Sequence, residues 1–346
     1  MRTLYHQAQM PVLQNRVYST RREAVDCPKG DIRIVENQET GLIYNAAFDS
    51  RLVTYDQNYN NEQGHSPSFK RHLEQVAEVV ERALSREKLV EVGCGKGLFL
   101  EMLLERGIDV TGMDPSYDGT NPRVIKKYFE PGIIDTPARG LILRHVLEHV
   151  PGPFEFLSQL RETNGGSGLI YIEVPCFDWI IKKRAWFDIF YEHVNYFRLI
   201  DFDRMFGKVI QKGRCFGDQY LYVIADLESL RAPVFAPFNP VNFPADFLNG
   251  LTAKDHTRAS VWGAASKGVI YSLLRERAGY PVKAIIDLNP AKQGKYLPGT
   301  GIKVMSPKDA MMLLQKGDTI TVMNPNYLGE IKRISNHKFK YEEINS

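Results

Sequence analysis

The chain has 346 residues, 43% of them hydrophobic, and a formal net charge of +3 at pH 7, which leaves room for two or three ordinary globular domains. So small a charge argues against a nucleic-acid partner, which needs a clustered basic face, and no apolar run approaches the length of a membrane span. Cys27, Cys94, Cys176 and Cys215 are scattered without a C-x-x-C pair and the N-terminus lacks the apolar core of a secretory signal, so reduced thiols and a cytoplasmic location are expected.

Residues 1 to about 65 read as a small N-terminal domain, irregular apart from strand-like pieces at Ile32–Val35 and Gly41–Asn45. It ends in a polar aromatic stretch, YDQNYNNEQGHSPSF, where Tyr55, Tyr59 and His65 stand on a loop able to close over a ligand. Pro67 and Ser68 then open a helix with Leu73, Val76, Val79, Val80 and Leu84 at helical spacing. A β-turn-α-β unit follows in LVEVGCGKGLFLEMLLERGIDVTGMD. Its first strand carries Glu91, its turn Gly93, Gly95 and Gly97, and its second strand (Ile108–Met113) ends on Asp114. Next come a strand at Gly140–Arg144, a helix near Pro153–Arg161, a Gly165–Gly166 turn and a strand, LIYIEVP. This alternation predicts an α/β domain over residues 66–230 with a doubly wound parallel sheet. A Pro-rich linker, RAPVFAPFNPVNFPADF, opens residues 231–346. There ASVWGAASKGVIYSLL, VKAIIDLNP and DTITVMN repeat the order strand, Gly turn, helix, Asp-ended strand, which reads as a second, smaller Rossmann-like unit.

The glycine turn is the first chemical signal. Its glycines let a backbone approach a ligand closely, and Asp114 is placed to accept hydrogen bonds from two ribose hydroxyls. The spacing E-x-G-x-G-x-G differs from the dinucleotide fingerprint G-x-G-x-x-G and favours S-adenosylmethionine over a nicotinamide cofactor. Glu91, Gly93, Gly95, Gly97 and Asp114 are therefore the candidate cofactor residues. The plain alternative is a junction that uses glycine only for tight packing.

Two further segments stand out. In RHVLEHVPGP, which follows a strand, Arg144 and His145 are candidates for contact with the cofactor. Glu148 and His149 are adjacent and are not expected to face one ligand together; a capped helix start explains them equally well. In FDIFYEHVNYF a His beside a Glu lies among aromatic rings, which suits a general base tuned near neutral pH. His193 is the candidate base, Glu192 its orienting partner, and Tyr191 or Tyr196 an oxyanion donor. A packed aromatic segment holding a structural histidine is the bland alternative. Lys182, Lys183 and Arg184 form a basic run that is either solvated or meets a substrate phosphate.

With these motifs, and with GAASKG, IIDLNPAKQGKYLPGTGIKV and MNPNYLGEI in the last third, the chain resembles the three-part C-methyltransferases that methylate nucleotide-linked keto sugars, from about Tyr55 onward. The resemblance implies a central S-adenosylmethionine domain, a small N-terminal domain and a Rossmann-like C-terminal domain, with the nucleotide sugar between them. It implies His193 as the base that makes an enolate, with Glu192 alongside; Tyr55, His65, Tyr196 and Lys267 are the candidate substrate contacts. Two departures accompany it. The family's cysteine-bound zinc in the N-terminal domain has only Cys27 to match, so no metal is expected. The family's tyrosine three positions before the histidine is Phe190, for which Tyr191 or Tyr59 would have to compensate. The rival readings are an O- or N-methyltransferase, a cofactor-binding protein without turnover and, last, an NAD-dependent oxidoreductase. A monomer or homodimer acting on a small molecule is expected, with no nucleic-acid or membrane partner.

Overall fold

The computed structural model describes residues 1–54, 64, 66–252 and 260–344. The N-terminal segment is more regular than its sequence pattern suggests. Strand β1 (Arg2–Pro11) pairs antiparallel with β2 (Lys29–Glu36), which pairs with β3 (Ile43–Asn45). β1 escapes a period-two reading because its register shifts twice, between Thr3 and Tyr5 and between Gln7 and Met10. Each shift changes which residues face the core.

The helix Pro67–Ala83 starts where Ser66 Oγ accepts the Phe69 N–H and Pro67 fills a position that needs no donor. Its buried stripe of Phe69, Leu73, Val76, Ala77 and Val80 packs beside the central sheet. That sheet is built from β4 (Leu89–Val92), β5 (Val110–Met113), β6 (Val124–Ile125), β7 (Gly140–Arg144) and β8 (Leu169–Pro175). Short β9 (Asn195–Tyr196) leaves it to pair with β3, as the fourth strand of the N-terminal sheet. β10 (Val209–Cys215) and β11 (Tyr220–Asp226) form a hairpin that returns to β8. The spatial order is β10-β11-β8-β7-β4-β5-β6, with β4 to β8 parallel and β11 antiparallel to both neighbours. The sheet is thus mixed, because a tight hairpin can join only antiparallel strands.

The C-terminal sheet is wholly parallel. β12 (Ser260–Trp262), β13 (Ala284–Ile286), β14 (Val304–Met305), β15 (Thr319–Val322) and β16 (Lys340–Glu343) stand in the order β14-β13-β12-β15-β16. In the central sheet the order reverses between β4 and β7, in the C-terminal sheet between β12 and β15. Parallel sheets open a ligand crevice outside the carboxyl ends of the strands at such a reversal. Among the described residues no helix is long and apolar enough to cross a membrane.

The N-terminal sheet matters to both crevices because β9 begins two residues after His193. The Asn195 side-chain amide donates to the carbonyls of Leu147 (3.0 Å) and Val150 (2.8 Å), and the Val194 N–H to that of Glu148 (2.7 Å). These bonds clamp the short 3-10 turn Leu147–His149 onto the His193 segment. Truncating Asn195 to alanine strands the buried Leu147 carbonyl and the part-buried Val150 carbonyl, and should cost about 1–3 kcal/mol. Urea denaturation of Asn195→Ala against the parent chain checks this; an unchanged midpoint would show that the clamp is dispensable.

Candidate active site

The crevice of the central sheet is shaped by its glycine turn. Gly93, Gly95 and Gly97 have φ of 75°, 56° and 81°, a conformation that glycine adopts freely. A Cβ on Gly93 would collide with the Val146 side chain, whereas one on Gly95 would meet nothing within 4 Å. The first glycine lets two loops approach, and the second leaves backbone facing open space. Asp114 is fixed at the tip of β5. Its Oδ2 accepts the Gly95 N–H at 2.8 Å, and its Oδ1 accepts the Ser116 N–H (2.8 Å) and hydroxyl (2.7 Å). Glu91 on β4 is buried, and its Oε2 has no hydrogen-bond partner among the described residues. Burial pushes its carboxyl up to about 8, although Arg144 pulls the other way. A buried acid with a bare oxygen beside an open glycine turn fits a ligand that brings a positive charge.

Beyond the end of β7, Arg144 and His145 serve a buried carboxylate. Glu173 Oε1 lies 3.0 Å from Arg144 Nη2, 3.1 Å from His145 Nε2 and 3.1 Å from His72 Nε2, while its Oε2 accepts the Tyr171 hydroxyl at 2.7 Å. Burial alone would raise Glu173, but Arg144, His145 and His72 hold it well below the usual range. The second ring nitrogen of His145 meets Glu148 Oε1 at 3.2 Å. Burial disfavours its charge, yet hydrogen bonds to Glu148 and Glu173 push it up to about 9. His145 is thus an imidazolium between two carboxylates. Arg144 points into this network and over the Phe99 ring, 4.6 Å from its centroid.

A cavity of about 260 Å³ lies between the carboxyl ends of the central and C-terminal sheets. The central side supplies His145, Glu148, His149, Phe190, His193 and Tyr220; the C-terminal side supplies Gly263, Lys267, Asp287, Lys292 and Asn324. Polar links close its edges. Lys267 Nζ donates to Gln219 Oε1 (2.7 Å) and pairs with Asp188 (3.0 Å), Asn15 donates to Ser266 Oγ (3.0 Å), and the Ser66 hydroxyl donates to Glu330 (2.7 Å). Glu148 and His149 both line the cavity, although adjacency argued against it. They sit on the short 3-10 turn Leu147–His149 beyond the end of β7, and both side chains reach the cavity from it.

The FDIFYEHVNYF segment divides its roles. His193 faces the cavity, with the Phe190 ring centroid 3.9 Å from its own. Burial, then the electrostatic influence of His149, His145 and Lys267, holds the His193 imidazole well below its ordinary value, so it is neutral at physiological pH. Its neighbours turn elsewhere. Glu192 Oε1 accepts the Gln14 N–H at 2.8 Å, the Tyr191 hydroxyl accepts the Asp49 N–H at 2.8 Å, and the Tyr196 hydroxyl donates to the Phe190 carbonyl at 3.2 Å. All three tie the segment to the N-terminal domain and the core, and none lines the cavity. Tyr55, Tyr59 and His65 lie outside the described residues. Tyr220 and Asp188 line the cavity without having been singled out by sequence. Asp188 stood in the same aromatic segment and was legible there; Tyr220, on a strand, carried no signal.

Residues 68–209 match the family model of a methyltransferase domain, and residues 244–342 that of the C-methyltransferase C-terminal domain. The chain thus carries a methyltransferase domain followed by a C-methyltransferase C-terminal domain. C-methyltransferase NovU of Streptomyces niveus is 22% identical over 276 residues, which are 64% of this chain and 63% of that one. The chain therefore spans less than two thirds of that relative. Of solved structures, the 1,6-didemethyltoxoflavin-N1-methyltransferase of Burkholderia thailandensis is 14% identical at a TM-score of 0.36, over 45% of this chain and 77% of the other. The PH0226 protein of Pyrococcus horikoshii OT3 is 12% identical at 0.40, over 50% and 99%. At such scores they add nothing to what the strand order shows. The matched methyltransferase domain holds the glycine turn and His193, and the C-terminal domain supplies the facing wall of the cavity that His193 lines.

Two titrations follow from the geometry. The folded value of Glu91 lies above its ordinary 4.5, so stability is lost as pH rises from there to about 8. Glu91→Gln should melt a few degrees higher than the parent chain at about pH 9 and equally at about pH 4; a lower melting point at the alkaline end would refute the buried, raised acid. His145 is also raised, from 6.5 to about 9, so its contribution is complete below about pH 6.5 and lost through pH 9. His145→Gln should therefore destabilise the chain at about pH 6 and do so much less above pH 9. A penalty independent of pH would mean that the ring is held by packing alone.

Proposed function

We propose that the chain transfers the methyl group of S-adenosylmethionine to a carbon of a small polar acceptor, best represented by a nucleotide-linked keto sugar, with His193 as the general base. The observation that carries this reading is a neutral, buried imidazole on the wall of a cavity that the methyltransferase domain shares with the C-terminal domain. Glu91 and the open side of Gly95 would hold the amino-acid end of the cofactor, and Asp114 its ribose. Bound there, the cofactor supplies an electrophilic sulfonium methyl.

The chain's own residues account for the rest. His193 takes the proton from the carbon beside a ketone, which leaves an enolate. The imidazolium of His145 and the ammonium of Lys267, both on the cavity wall, favour that negative charge. Lys267 and Lys292 also suit an anionic substrate tail. Phe190 brings no hydroxyl and the Tyr191 hydroxyl is engaged at Asp49. That supports a second reading, methylation of an oxygen or nitrogen, for which no enolate needs a tyrosine.

Incubation with methyl-labelled cofactor and a panel of nucleotide-linked keto sugars, followed by NMR of the product, tests the proposal. A methyl bound to carbon is expected; one on oxygen or nitrogen moves the assignment to the second reading. Binding of S-adenosylhomocysteine with no turnover on any acceptor identifies a protein that kept the fold without the chemistry. His193→Ala should lower kcat by about 100-fold or more and leave cofactor affinity unchanged. Retained turnover would remove His193 from the chemistry.

A further inference from the structure

Glu148, His149 and His193 each bring one donor atom to within 4.8 Å of the others. His149 Nδ1 lies 3.0 Å from the Glu192 carbonyl. A carbonyl only accepts, so Nδ1 carries the proton, and Nε2, on the other side of the ring, is the nitrogen available to an ion. The remaining donors are buried and bare. Glu148 is 1% exposed and His193 7%, and Glu148 Oε2 and His193 Nδ1 have no hydrogen-bond partner among the described residues. Orphaned buried polar atoms are rare because each forfeits its hydration, and here two of them belong to one cluster on a cavity wall.

We propose that these three side chains form a binding site for a divalent cation of the zinc class. Two imidazoles and one carboxylate are the donor set that such an ion selects over magnesium or calcium. Bonds of about 2.1 Å set tetrahedral ligands about 3.4 Å apart, so modest side-chain rotation closes the present spacing. Three protein ligands leave the fourth position to the cavity, the form of an open site.

The outer contacts are also in place. The Glu192 carbonyl fixes the His149 tautomer, and Glu148 Oε1 is held by His145, which Glu173 holds in turn. A second cluster, His72, Glu173 and Cys215, has comparable spacing. There Glu173 is already saturated by Arg144, His145, His72 and Tyr171, and an ion would have to displace them. The inference rests on these contacts and not on methyl transfer. A bound ion would occupy a lone pair of His193, so filling the site and proton abstraction there exclude one another.

The test is a titration of the chelator-stripped full chain with Co²⁺. Visible ligand-field bands saturating at about one ion per chain are expected for an N/O site, without the near-ultraviolet sulfur-to-metal band that Cys215 would give. The bands should vanish in His149→Ala and His193→Ala, weaken about tenfold or more in Glu148→Gln, and persist in Cys215→Ser. Circular dichroism establishes that each variant is folded, and His193→Gln replaces the alanine variant if that one is not. Absence of visible bands, their survival in both histidine variants, or a sulfur band lost in Cys215→Ser would each overturn the assignment. Zn²⁺ should raise the melting temperature of the parent chain and not of His193→Ala; an equal rise in both would also overturn it.

Discussion

One buried carboxylate sets the electrostatics of the whole site. Glu173, at the carboxyl end of β8, is 0% exposed, and a charge so placed survives only when paired and hydrogen-bonded. Its partners come from the helix Pro67–Ala83 (His72), from the end of β7 (Arg144, His145) and from its own strand (Tyr171). Satisfying it therefore fixes the helix on the sheet and the floor of the crevice in one arrangement. It also keeps His145 charged, at a left-handed φ of 52°. That imidazolium is among the charges that keep His193 neutral. The protonation state of the cavity wall thus begins at a residue that does not line the cavity.

The two parallel sheets repeat one device. In the methyltransferase domain Asp114 accepts the turn N–H of Gly95 through Oδ2 and the N–H two residues on, at Ser116, through Oδ1. In the C-terminal domain Asp287 accepts the turn N–H of Ala264 at 2.6 Å through Oδ2 and that of Asn289 at 2.8 Å through Oδ1. In both, an acid at a strand tip pins the Gly-containing turn of the neighbouring strand and holds open the crevice where strand order reverses. The C-terminal turn faces, across one cavity, residues that follow β7 and β8 of the central sheet. The N-terminal domain keeps the two domains in register through adjacent residues: Gln14 binds Glu192 of one domain, and Asn15 binds Ser266 of the other.

What the sequence reveals follows how local the cause is. Strands Gly140–Arg144 and Leu169–Pro175 are legible to the residue, since a buried apolar run bounded by turns admits little else. The glycine turn and Asp114 are legible because left-handed backbone and a strand-tip acid leave residue-type signatures. β1 is not, because its bulges scramble the alternation, and β10–β11 is not, because its placement depends on finding β8. The same divide runs through the site. His193 stands out from its aromatic neighbours, whereas the direction of Tyr191 and Glu192 is set by a sheet more than a hundred residues away in sequence, through Gln14 and Asp49. Glu148 and His149 meet at the cavity on a turn clamped by Asn195, which no local pattern announces.

Phe190 shows how a single ring redistributes the work of the site. Its ring packs against His193, 3.9 Å between centroids and tilted by 47°, where a tyrosine would bring a hydroxyl. An apolar face desolvates the imidazole, which favours the neutral form and makes it a weaker proton acceptor. In the proposed reaction, negative charge developing on a substrate oxygen then has no phenol from this segment to meet it. It must be met by charges on the other walls, the His145 imidazolium from the methyltransferase domain and Lys267 from the C-terminal domain, where Asp188 and Gln219 hold the ammonium in place. Electrostatic stabilisation depends on such groups being fixed before charge develops. On the proposed reading one of those cations, Lys267, comes from the C-terminal domain, and the bonds that hold it across the domain seam belong to the site as much as to the fold.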